Sequence, residues 1–130
     1  MSTYLSDLEE QVAAALLAVN TNTSTSYPDA VWTGAEELDW PQTVYSLESE
    51  TLETRARTEA RVRVTLHVDT FVRSRTEAAA TADAVRAAML EIFARCTLDR
   101  TYDSPQARIV RRAQSYTGVL HVGDGIIYNA

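Results

Sequence analysis

Apolar and charged positions alternate most regularly between residues 59 and 75. Ala60, Val62, Val64, Leu66, Val68, Thr70 and Val72 fall on one parity, and Glu59, Arg61, Arg63, Thr65, His67 and Asp69 on the other. Side chains point to opposite faces along a strand, so the pattern predicts one long strand with an apolar face and an ionic face. Directly afterwards the step changes from two to three and four. Ala78, Ala82, Val85, Met89, Ile92, Phe93 and Cys96 form a stripe that predicts a helix over residues 76–96. Ser74 and Glu77 have capping-box spacing at its start. The small alanines early in the stripe would let the helix lie close to a sheet.

The same reasoning predicts a first helix over residues 6–19. Ser6 and Glu9 form a second capping box, and Leu5, Leu8, Val12, Ala15, Leu16 and Val19 line one stripe. Asp7, Glu9 and Glu10 would occupy its first turn, where the helix dipole favours negative charge. The polar run 20–26 reads as a solvated loop, Tyr27-Pro28-Asp29 as a turn and 30–33 as a short strand. Residues 34–40 read as irregular, because Pro41 disfavours helix at Trp40.

Residues 42–53 read as a strand, with Val44 opposite in parity to Tyr45 and Leu47. Residues 49–58 read as the distal part of a long projecting hairpin whose return arm is the strand described first. Asp99 to Pro105 reads as a polar connector. Residues 106–117 and 118–122 read as two more strands, and Gly123-Asp124-Gly125 as a turn. The order predicts a single α+β domain over residues 1–130: a mainly antiparallel sheet with two helices packed on one face.

Composition narrows the chemistry. The chain has 130 residues, 45% hydrophobic and 23% charged, which is globular. Its net charge of −6 and lack of a basic block argue against a broad nucleic-acid-binding face. All twelve basic residues are arginine. GC-rich codon usage accounts for this, and so does arginine's bidentate fitness for interfacial ion pairs. Cys96 is the single cysteine, which rules out an intrachain disulfide or a thiolate zinc site built from one chain. The N-terminus lacks a basic region followed by an apolar core, and no run reaches the roughly 18 apolar residues of a membrane span. A soluble protein made in the cytoplasm is expected.

The catalytic constellations tested give no positive signal. His67 and Asp69 share a strand face about 7 Å apart, a permissive and unspecific spacing for a metal; His121 and Asp124 are no more specific. There is no Gly-x-Ser-x-Gly, Walker loop or Gly-x-Gly-x-x-Gly. Glu48 and Glu50 lack apolar surroundings that would raise a pKa. Trp32, Trp40 and Tyr45 read as a cap on one end of the core or as an interface anchor. No catalytic, cofactor-binding or metal-binding residue is assigned, and the chain is expected not to be an enzyme.

Charge order is the more informative feature. Glu48, Glu50 and Glu53 are followed by Arg55, Arg57, Arg61 and Arg63, and Arg108, Arg111 and Arg112 add a second basic segment. Opposite charges on hairpin arms pair across strands. Alternatively, ionic strand faces meet a neighbouring subunit, where complementary charge fixes register. Together with His67 and Asp69, these residues are candidate subunit or tube contacts.

In order and length the chain resembles the tail terminator (tail completion) proteins of long-tailed bacteriophages, the group that includes the lambda minor tail protein U. The resemblance rests on the helix over 6–19, the Pro-led strand 41–48 and the charged hairpin. It continues through the alternating strand 61–72, the Ala-rich helix 75–96 and the final strand pair 108–122. It covers essentially the whole chain but includes no diagnostic motif. It implies a structural virion protein at the head-proximal end of the tail, assembled as a homo-hexameric ring. Such a ring stops tube polymerisation and provides the head-joining surface. The implied partners are other copies of the chain, the tail tube protein and a head-completion or connector protein. DNA would only pass through the lumen, and neither a cofactor nor a membrane is implied. Head-closure proteins and tail tube subunits show similar mixtures of elements, and a small ligand-binding α+β domain is the alternative from another class.

Overall fold

The computed structural model describes residues 3–25, 41–53, 61–104, 109–121 and 126–128. Helix α1 (Thr3–Val19) leads into a two-residue strand β1 (Thr23–Ser24). Strands β2 (Gln42–Glu53) and β3 (Arg61–Val72) form the long hairpin arms, and helix α2 (Arg75–Met89) follows. Strands β4 (Arg95–Ser104), β5 (Ile109–His121) and β6 (Ile126–Tyr128) complete the chain. The sheet order is β1-β2-β3-β5-β4, antiparallel except for β1 against β2. β6 pairs with β5 at Val119–His121, beyond the end of β4 on the same edge.

Both helices cover one face of the sheet, giving the expected α+β architecture. Leu8, Val12 and Leu16 of α1 and Val85 and Met89 of α2 join Val62, Val64, Leu66 and Val68 of β3 and Tyr116 and Leu120 of β5 in one core. The apolar parity of β3 is the buried one, at 0% exposure for Val64, Leu66 and Val68. Each such side chain withdrawn from water contributes about 1.5–3 kcal/mol. Ala78 and Ala82 are also buried. The helix lies so close here that the Gln114 amide of β5 donates to the Ala82 carbonyl at 3.1 Å.

Several boundaries differ from expectation. α1 begins at Thr3, so Ser6 lies inside the helix and Asp7, Glu9 and Glu10 fall beyond its first turn. Nothing in Thr3-Tyr4-Leu5 breaks a helix, and it extends past the capping signal. At α2 the cap is realised: Ser74 accepts a hydrogen bond from the Glu77 amide at 3.2 Å. That helix ends at Met89, not Cys96. The apolar stripe continues because the Ile92 and Phe93 amides fold back onto the Met89 carbonyl, returning both side chains to the core. Cys96 therefore sits on β4, and the expected connector from Asp99 is the body of that strand. Its alternation is masked because both of its faces are polar.

Residues 109–121 form one strand, uninterrupted at Gly118, which pairs with Val64. The polar run after α1 is anchored. Asn20, only 8% exposed, donates from Nδ2 to the Pro41 carbonyl and to Thr43 Oγ1, both at 2.9 Å. The Thr43 amide donates to the Asn22 carbonyl at 2.9 Å, setting β1 against β2. The expected turn at 27–29, the strand 30–33, Trp32, the irregular stretch 34–40, the hairpin tip 54–60 and the turn 123–125 lie outside the described residues.

Candidate functional site

Register places the ionic residues on the sheet face away from the helices. Residues paired across a ladder share a face, so successive rows can be read along it, from buried Phe71, Val44 and Ala113 to exposed Glu48 and Glu50. Gln42, Phe71, Arg111 and Tyr102 form one row, and Val44, Asp69, Ala113 and Arg100 the next. Ser46, His67, Ser115 and Leu98 follow, then Glu48, Thr65, Thr117 and Arg95. Glu50 and Arg63 lie one row further on.

These side chains are tied into pairs within the chain. Arg63 Nη1 stands 3.8 Å from Glu50 Oε2, an exposed contact worth little by itself. His67 bridges three strands, with Nε2 3.3 Å from Glu48 Oε2 and Nδ1 2.9 Å from Ser115 Oγ. When the hydrogen is on Nε2, the ring donates to Glu48 and accepts the Ser115 hydroxyl. Arg111 grips the buried Asp69 with both Nε and Nη2. The Arg111 and Arg100 guanidinium carbons each lie 5.2 Å from the centre of the Tyr102 ring. Pairing across hairpin arms thus accounts for part of the charge pattern.

Arg112 stands apart from the other candidates. It projects from the opposite face of β5, where its Nε donates to Asp99 and its Nη1 to Thr101 Oγ1 at 3.2 Å. Arg86 of α2 reaches the same Asp99 at 3.0 Å. The hydrogen bond from Arg112, reinforced by both positive charges, holds the Asp99 carboxyl below the usual carboxylate range against the opposing effect of burial. The Arg112 guanidinium is correspondingly held above its ordinary value by that bond. This cluster fastens β4 and β5 to α2 on the helix side of the sheet.

Among the remaining candidates, Arg61 is exposed at the far end of β3. Glu53 ends β2, paired with Arg61 in the ladder. Arg55, Arg57 and Arg108 lie outside the described residues. A groove of about 440 Å³ is lined by Glu48, Ser49, Glu50, Arg63 and Thr65. Among the described residues no group of three His, Cys, Asp or Glu side chains is placed to hold a metal. His67 and Asp69, paired in the metal reading, are directed to different partners.

Ser115, His67 and Glu48 form the arrangement that sequence spacing missed, since the three residues come from three strands. The order serine–imidazole–carboxylate resembles a hydrolytic relay. The surroundings do not suit that chemistry. Ser115 is 6% exposed and lies inside β5, between His67 of β3 and Leu98 of β4. Backbone amides there serve the ladders, whereas an oxyanion hole needs free donors beside the nucleophile. No family model matches the chain, and no curated protein matches it.

Proposed function

We propose that the chain is a structural assembly subunit that closes into a ring on the end of a phage tail tube. Such a ring stops tube growth and presents the surface to which the head attaches, at the head-proximal end of the tail. The observation that carries this reading is the two-sided sheet: one face is buried under both helices, and the other carries fixed charges from β2, β3, β5 and β4 beside a buried patch at Val44, Phe71 and Ala113. Oriented charge spread over several strands suits contact with another protein surface, because complementary potentials select partner and register. The order of elements resembling tail terminators adds the phage context.

Native mass measurement and negative-stain imaging of the purified chain, alone and with tail tubes, test the reading. Discrete closed rings seated on tube ends are expected. Open-ended helical polymers would instead identify a tube subunit, since a head-to-tail contact that does not close propagates. A chain that stays monomeric at high concentration with tubes supplied would overturn the proposal.

A further inference from the structure

We infer that neighbouring copies join edge to edge, with β4 of one chain adding to β2 of the next so that the sheet runs on between subunits. This inference rests on the ring reading and specifies its interface. Three features of the sheet lead to it.

The first is that, among the described residues, neither edge is fully paired. β4 is the last strand in the sheet order, ten residues long, and its only partner among the described residues is β5. Arg95, Leu98, Arg100 and Tyr102 on it are exposed. A long edge of unpaired backbone groups is a template for another strand. On the opposite side, among the described residues β1 covers β2 only at Thr43 and Val44. Beyond that point Ser46, Glu48 and Glu50 are exposed. A cavity of about 230 Å³ lined by Glu9, Thr25, Tyr45, Ser46 and Leu47 opens where β1 stops.

The second is strand direction. The pairs β2/β3, β3/β5 and β5/β4 are all antiparallel, so β2 and β4 run in opposite directions. A copy added head to tail therefore continues the antiparallel alternation without reversing the chain.

The third is charge, which selects among edge pairings. A two-fold contact of β4 with β4 centred between them would set Arg95 of one copy against Arg100 of the other. A two-fold contact of β2 with β2 would do the same with Glu48 and Glu50. Like charges directly opposite destabilise a ladder, whereas opposite charges support it. Only the heterologous contact sets the arginine edge against the glutamate edge, and heterologous contacts are the ones that generate rings. Because β1 occupies the start of β2, the incoming β4 begins at Ser46. Tyr102 then lies opposite Ser46 and Arg100 opposite Glu48. Leu98 follows opposite Glu50, with Arg95 diagonal to it.

Charge reversal with cross-rescue tests this. Glu48→Arg/Glu50→Arg gives a chain with two basic edges, and Arg95→Glu/Arg100→Glu gives one with two acidic edges. Each alone is expected to self-associate on the order of tenfold or more weakly than the unmodified chain. Their equimolar mixture should restore rings of alternating subunits, which also establishes that both variants fold. Hydrogen exchange in residues 95–104 should slow on assembly. Rings that form regardless of these substitutions, with no added protection on β4, would overturn the edge pairing and leave the ring reading intact. An unmodified chain that never assembles would overturn the ring reading itself.

Discussion

Arg111 holds Asp69 through both arms of its guanidinium, Nε to Oδ1 at 3.0 Å and Nη2 to Oδ2 at 3.3 Å, across the β3–β5 ladder. The aspartate is 8% exposed, so its charge depends on bonded partners more than on water. The contact is diagonal in register, since Arg111 lies opposite Phe71 and Asp69 opposite Ala113.

Replacing Arg111 with alanine should therefore cost about 1.5–3 kcal/mol, the scale of hydrogen bonds to a charged group. Urea unfolding of Arg111→Ala, Asp69→Asn and the double variant gives the coupling directly. Additive effects would show that the pair contributes nothing of its own.

Acid stability should depend on Asp99. Its carboxyl is held below its ordinary value of 3.8, chiefly by the hydrogen bond from Arg112. A depressed folded-state value adds stability that is present above the unfolded value and lost as pH falls through the folded one. Asp99→Asn should thus flatten the decline in melting temperature below about pH 4, where the unmodified chain loses this contribution.

At the alkaline end, the relevant group is Tyr116. Burial pushes its hydroxyl well above the ordinary value of 10.0, and Cys96 and Asp99 add to the effect. A raised folded-state value means the contribution is complete below the unfolded value and fades as pH rises beyond it, so stability should fall above about pH 10. Among the described residues the hydroxyl has no hydrogen-bond partner. Tyr116→Phe removes a buried unpaired polar group and should leave stability unchanged or raise it by about 1 kcal/mol, with a shallower alkaline limb. A loss of stability at neutral pH would reveal a partner for the hydroxyl.

Asn20→Ala should cost about 1–3 kcal/mol, because the amide fills two acceptors, the Pro41 carbonyl and the Thr43 hydroxyl, at the junction of α1, β1 and β2. Hydrogen exchange should rise first in residues 20–25 and 41–44. A neutral substitution with unchanged exchange would count against an anchoring role.

Local pattern carried much of the fold. The period of two across β3 and the three-and-four spacing of α2 reflect which side chains must leave water, and that requirement is written residue by residue. Ser74 likewise announces its cap, because the bond it makes is only three residues long. The end of α2 was not legible: Ile92 and Phe93 are apolar because they fold back onto the core, and their spacing imitates another helical turn. β4 was hidden for the opposite reason. Leu98, Arg100 and Tyr102 face away from the helices while Asp99 and Thr101 meet Arg112, so neither parity is apolar. The candidate face was partly legible. The sequence identifies its charged residues but not their partners, and it gives no sign that Arg112 serves the helix side.

By itself, then, the sequence determined the α+β class, the buried parity of β3 and the helical stripes, because these follow from hydrophobic period and caps within a few residues. Only the tertiary structure decided that Glu48, His67 and Ser115 meet, that Asp69 belongs to Arg111 and Asp99 to Arg112, and that β2 and β4 are opposite edges running in opposite directions. Those relationships depend on strand order and register, which are set by packing among residues tens of positions apart and leave no local trace in the chain.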